Sequence, residues 1–97
     1  MAVAVIYRMS CTPGRGEELR GALEALAAAL KEIEGLQSVS VLRAIEQPDD
    51  FIFVEKWASV QAQKNSGKSF PKQAFARVMA ALADKPCGRS FEYVRET

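Results

Sequence analysis

Three side chains with chemical capability fall where the chain changes character. Trp57, the only tryptophan, closes the alternating run FIFVEKW; Asn65 lies about two helical turns beyond it in a polar, helix-forming stretch; Tyr7 sits inside the alternating N-terminal run. An indole can wall a cavity against a flat aromatic molecule while its N–H seeks an acceptor. An amide can donate to a substrate oxygen without ionising, and a phenol adds one more hydroxyl. Trp57, Asn65 and Tyr7 are therefore the candidate catalytic residues, with Trp57, Phe53, Phe70 and Tyr93 as candidates to contact a bound ring. Each also has a plainer reading. Trp57 suits packing of helix against strand end as well as it suits a pocket wall, and Tyr7 and Tyr93 lie on alternating strands where ordinary packing is the simpler role.

What the chain lacks narrows the chemistry. It has no histidine, so the usual near-neutral base and every histidine-ligated metal or haem are excluded. Cys11 and Cys87 match neither a disulfide framework nor zinc-site spacing, and no glycine-rich strand-to-helix fingerprint follows any strand. No stoichiometric metal, haem or flavin is expected. Lys64, Lys68 and Lys72 recur beside NSG and suit an anion, although a solvated lysine face explains them as well.

The elements that must position these residues follow from periodicity. Residues 2–10 alternate as a first strand, and TPGRG turns the chain. From Glu17, apolar Leu19, Leu23, Leu26, Leu30 and Ile33 step by four and three, with Gly35 as a left-handed helix cap. Residues 36–45 and 51–57 form a hairpin around EQPDD, with Ile45 expected opposite Phe51. A helical region begins near Ser59, breaks at Gly67 and resumes after Ser69 as a cap, with Pro71 in the first turn. Its expected buried stripe is Phe75, Val78, Met79 and Leu82, and RSFEYV is a last strand.

The order β-α-β-β-α-β predicts an α+β, ferredoxin-like antiparallel sheet with helices on one face. Val39, Val41, Arg43, Ile45, Phe51, Phe53, Glu55 and Trp57 share one face of the hairpin; Leu42, Ala44, Ile52 and Val54 share the other. Two helices cover one face only, so sheet-on-sheet pairing in a homodimer is expected, with Arg43 and Glu55 pairing at its seam. In this topology Cys11 and Cys87 end near each other, either as a redox-sensitive pair or as two unrelated thiols.

Ninety-seven residues make a single domain, 1–97, and a net charge of +1 gives no global field to draw nucleic acid or an anionic membrane. The N-terminal MAVAVIYRM has no basic leader, and ALEALAAAL is too short and too interrupted to span a bilayer, so a cytoplasmic location is expected.

The element order, TPGRGEEL opening the first helix, and FIFVEKW followed by a short helix and SF resemble the antibiotic biosynthesis monooxygenase family of dimeric α+β barrel proteins over nearly the whole chain. That resemblance implies a dimer and a range of activities: cofactor-free oxygenation of polycyclic phenols and quinols, haem degradation, and isomerisation of signal molecules. Members often carry histidines after the tryptophan and before the phenylalanine, where this chain has Asn65, Ser66 and Ser69. The strand-one asparagine of the haem-degrading branch falls on Tyr7, and its iron-ligating histidine has no counterpart. The expected function is cofactor-independent monooxygenation of a phenol, quinol or anthrone-like molecule by dioxygen. The alternatives are a small-molecule binding or isomerising module, and a dimeric interaction protein with a filled pocket.

Overall fold

The computed structural model describes residues 1–97 as β1 (Val3–Ser10), α1 (Gly16–Leu30), β2 (Leu36–Arg43), β3 (Asp50–Trp57), α2 (Val60–Asn65), a 3₁₀ turn (Ser66–Ser69), α3 (Lys72–Ala81) and β4 (Cys87–Glu92). The four strands form one antiparallel sheet in the order β2-β3-β1-β4, which with its helices is the ferredoxin-like arrangement. No helix is long and apolar enough to cross a membrane.

The core lies between one sheet face and the helices. Met9, Phe51 and Phe53 meet Leu19, Leu23, Leu26 and Leu30 of α1 and Val78 and Ala81 of α3. Strand alternation against the four-and-three step of α1 is enough to bring these residues together. The remaining helices follow the apolar stripe less closely. On α3 and its cap, Val78 and Ala81 are buried and Phe75 and Leu82 half-buried, whereas Met79, one helical step round from Val78, is exposed.

Several boundaries differ from the periodicity. The α1 hydrogen-bond ladder tightens at Lys31, whose N–H bonds Ala28 O at 3.3 Å, and the helix ends at Leu30. Gly35 adopts φ +88° inside the connection that follows, so it serves the turn into β2 instead of capping the helix. Ser59, not Ser69, is the working cap: its Oγ accepts from the Ala62 N–H, while α3 starts behind Pro71 with no side-chain cap.

The hairpin pairs Arg43 with Phe51, Val41 with Phe53 and Val39 with Glu55. Ile45 is therefore not opposite Phe51. Ala44 N–H still bonds Asp50 O at 3.0 Å, but Arg43 Nε donates to Pro48 O at 2.7 Å and Asp50 N–H to Gln47 O at 2.9 Å, which holds residues 45–49 out of the ladder as a wider loop. A two-residue slip preserves side-chain parity, so within the strands the two faces contain the residues expected of them, while Ala44 and Ile45 fall beyond the end of β2, Ile45 98% exposed in the loop. A bulge between Leu36 and Ser38 brings Leu36 opposite Trp57.

Arg43 and Glu55 do not pair. Arg43 lies on the helix-covered face, where it bonds Glu17 of α1 at 2.6 Å and sits over the Phe51 ring. Nor do the cysteines meet. Cys87 pairs with Arg8, which leaves roughly 10 Å of strand between it and Cys11, and the two occupy opposite faces, Cys11 buried and Cys87 exposed. The uncovered face carries Ile6, Ile52, Val54, Leu42 and Phe91, with Leu42 50% and Phe91 42% exposed.

Candidate functional site

Strand alternation sends Glu55 and Trp57 from β3 to the same side, beneath the helices. Trp57 Nε1 donates to Glu55 Oε1 at 3.0 Å, and the two residues are only 2% and 5% exposed. The indole packs with Val3 and Val5 of β1 and against Ile33, Leu36 and Ala62. Gly35 lets α2 come this near: a Cβ there would lie 2.6 Å from the Ala62 methyl, and its carbonyl accepts the Ala58 N–H at 2.8 Å. The chain leaving β3 is thereby turned back across the sheet, above Trp57.

Between that returning segment and the sheet lies a partly open cavity of about 320 Å³. Its floor is Tyr7, Glu55 and Trp57, with Leu30 of α1 at one side. Its roof is Gln63 and Lys64 of α2 and Ser66 and Gly67 of the 3₁₀ turn, and Phe70 closes the end, held edge-on by Phe75 at 5.2 Å between ring centres. Tyr7 occupies its place because Gly88 faces it on β4, where a Cβ would stand 2.5 Å from the phenol ring.

The electrostatics centre on Glu55. It takes part in none of the five ion pairs of the chain, so no cation stands within 4.0 Å of its carboxylate. Burial raises its pKa above the ordinary 4.5, and the bond from Trp57 opposes that shift without cancelling it. Tyr7 is raised above 10.0, first by burial and then by the negative charge of Glu55, so at neutral pH it is a hydroxyl donor. No group of three or more His, Cys, Asp and Glu side chains converges anywhere in the fold. Glu55 is thus a lone buried carboxylate facing a cavity: a group able to accept a proton from a bound molecule.

Of the residues singled out from the sequence, Trp57, Tyr7 and Phe70 come together here. Trp57 is core and wall at once, its ring packed on one side and bordering the cavity on the other. Phe53 stands behind the cavity in the solid core, 1% exposed, with its ring 6.4 Å from that of Tyr7. Tyr93 lies across the sheet, under the Lys56 ammonium at 4.9 Å. Asn65 is exposed, its Oδ1 accepts from Gln61 Nε2 at 2.9 Å, and it borders a neighbouring cleft of about 380 Å³ instead of the Trp57 cavity. The helical rotation explains this displacement, because Gln63 and Lys64 border the Trp57 cavity while Gln61, Ala62 and Asn65 line the neighbouring cleft. Glu55 was missed as a site residue and expected at the dimer seam with Arg43; the signal that could have found it is its parity, as the one charge of β3 in register with Phe51, Phe53 and Trp57.

Residues 2–78 match the antibiotic biosynthesis monooxygenase family. No protein of curated function matches the sequence significantly. Among solved structures, the cofactor-independent oxygenase SnoaB of Streptomyces nogalater, in an asparagine-to-alanine variant, superposes with a TM-score of 0.84 at 14% identity, over 98% of this chain and 95% of that one. A candidate antibiotic biosynthesis monooxygenase of Caulobacter crescentus gives 0.83 at 22% identity, over 97% and 91%. One of Nitrosomonas europaea gives 0.85 at 13%, over 99% and 93%. At these identities the likeness speaks for the fold.

Proposed function

The chain belongs to the antibiotic biosynthesis monooxygenase family, and we propose that it is a cofactor-independent oxygenase of a small phenol, quinol or anthrone-like molecule, with Glu55 as its base. The observation that carries this reading is the uncompensated carboxylate of Glu55, bonded to Trp57 Nε1 and facing a cavity of about 320 Å³. SnoaB, an oxygenase needing no cofactor, shares the fold. Glu55 takes the role that a chain without histidine must give to another side chain.

The chemistry balances without an external reductant. Glu55 removes a proton from the activated C–H or O–H of the substrate, leaving an anion delocalised over the ring. That anion passes one electron to dioxygen, and the substrate radical and superoxide join in a new carbon–oxygen bond. The resulting hydroperoxide loses water as its O–O bond and the remaining C–H bond break. For a methylene substrate the sum is R₂CH₂ + O₂ → R₂C=O + H₂O, and for a phenol or quinol reacting at a ring C–H it is HO–Ar–H + O₂ → O=Ar=O + H₂O, with all four electrons drawn from the substrate in either case. Trp57 and Phe70 hold the ring, and the Tyr7 hydroxyl donates to the oxygen on which charge develops.

The same acid–base pair would also serve a second reading, isomerisation, in which Glu55 moves a proton between two carbons and Tyr7 polarises a carbonyl; its support is that Tyr7 and Glu55 share the cavity. Oxygen uptake across a panel of quinols and anthrones separates the two. Glu55-dependent uptake supports oxygenation, whereas Glu55-dependent exchange of substrate protons with solvent deuterium and no uptake favours isomerisation.

A further inference from the structure

Resting on the reading of the Glu55 cavity as a substrate site, we infer that its substrate is a one- or two-ring hydroxyaromatic carrying an anionic substituent, which Lys64 receives at the mouth while the reacting group faces Glu55. Of the nine residues lining the cavity, two are charged, and they are of opposite sign. Lys64 enters none of the five ion pairs, so the two charges face one space without neutralising each other at contact distance.

A neutral ligand filling this space would take the remaining water from buried Glu55 and leave the Lys64 ammonium at the mouth without a partner. A ligand with an acidic proton at one end and a carboxylate at the other answers both: the proton goes to Glu55, and the anion takes the ammonium. Lys64 belongs to the last turn of α2 and is solvent-exposed, whereas Glu55 is buried at the sheet, so the order of the two groups along the ligand is set, with the anion outermost. Gln63 offers an amide beside the ammonium, while Ser66 is committed to the Gln63 carbonyl at 2.6 Å. Size sets the other limit. A space of about 320 Å³ is at the small end of ligand cavities, which suits one or two rings between Trp57 and Phe70.

The test is anaerobic calorimetry with two matched pairs: 2,5-dihydroxybenzoate against 2,5-dihydroxybenzamide, and 6-hydroxy-2-naphthoate against its primary amide. The acid of at least one pair is expected to bind about fivefold tighter than its amide, the scale of an exposed ion pair. That preference should fall with added salt, vanish in Lys64→Gln, persist in Lys64→Arg and survive in Glu55→Gln. If acids and amides bind equally, or if the preference persists in Lys64→Gln, the anionic substituent is refuted while the cavity stands as the site. If no probe binds, and Glu55→Gln also leaves oxygen uptake on quinols untouched, the reading of the cavity as the site falls too.

Discussion

Replacing Glu55 by glutamine separates a catalytic carboxylate from a structural one, because the two roles predict opposite patterns in rate and stability. The amide oxygen of the introduced glutamine can still accept from Trp57 Nε1, which lies 3.0 Å from Glu55 Oε1, so the buried indole N–H keeps its partner. The substitution also removes a carboxylate buried with no cation beside it, a group that burial destabilises when ionised. Folding stability should therefore stay within about 1 kcal/mol of the parent, a shift in Tm of no more than about 4–8 °C. Turnover should instead fall by about 10²–10⁴-fold, the contribution of a positioned base, equivalent to about 3–5 kcal/mol of barrier. The pH dependence gives a second signature. The native pKa of Glu55 is raised above 4.5, so the folded state holds the proton more tightly than the unfolded chain. Its contribution to stability is present below 4.5 and is lost as pH rises through the higher native value, and Glu55→Gln should abolish that loss. Turnover should run the other way, rising with pH through the same native value as the base ionises. Stopped-flow oxygen uptake and thermal melts from about pH 4 to 9 measure both. A variant that keeps full turnover, or one that loses turnover only in proportion to lost folded protein, would refute Glu55 as the base.

Five further outcomes are expected. Trp57→Phe removes the hydrogen bond that opposes the burial of Glu55, so the acid limb of the rate profile should move to higher pH; an unmoved limb would show that this bond does not tune the base. A Cβ at Gly67 meets nothing within 4 Å, so Gly67→Leu should leave Tm nearly unchanged while raising KM by narrowing the cavity mouth, and unchanged KM would place the ligand elsewhere. Gly88→Ala drives a methyl into the Tyr7 ring and should lower both Tm and turnover, whereas Asn65→Ala, in the adjoining cleft, should leave turnover nearly unchanged. The uncovered sheet face should pair with a second copy, burying about 800 Å² per protomer; sedimentation at micromolar concentration should give a dimer, Ile52→Glu a monomer, and a monomeric parent would refute the pairing.

The element order and the two hairpin faces were legible because both depend on apolar spacing, which a slip of two residues leaves intact. Loop geometry was not. Pro48 and Arg43 widen the hairpin through a contact that no periodicity records, and the end of α1 at Leu30 depends on a tightened turn while Ile33 still obeys the apolar step. The site divides along the same line. Trp57 and Tyr7 were legible as aromatic positions on strands whose direction periodicity sets, and Phe70 as the aromatic that precedes Pro71 at the entry to α3. Asn65 was misplaced because the orientation of a six-residue helix without a buried residue is decided by its anchors, here Gly35 against Ala62, and not by its own pattern.

Glu55 shows most clearly what sequence reading needs. In FIFVEKW it is the one charge whose parity matches Phe51, Phe53 and Trp57, and on an apolar face a carboxylate invites the search for a cation. Arg43 has the same parity and lies on the adjoining strand, so the two look like partners. The structure sends them to different neighbours, Arg43 to Glu17 of α1 and Glu55 to the indole two residues away. A pair with Arg43 would have held Glu55 ionised with a low pKa, a poor acceptor for a phenolic proton. Left with a neutral donor and little water, its carboxylate is the stronger base. The burial that raises the free energy of the charged group is therefore the same physical feature that fits it to take a proton from a ligand between Trp57 and Phe70.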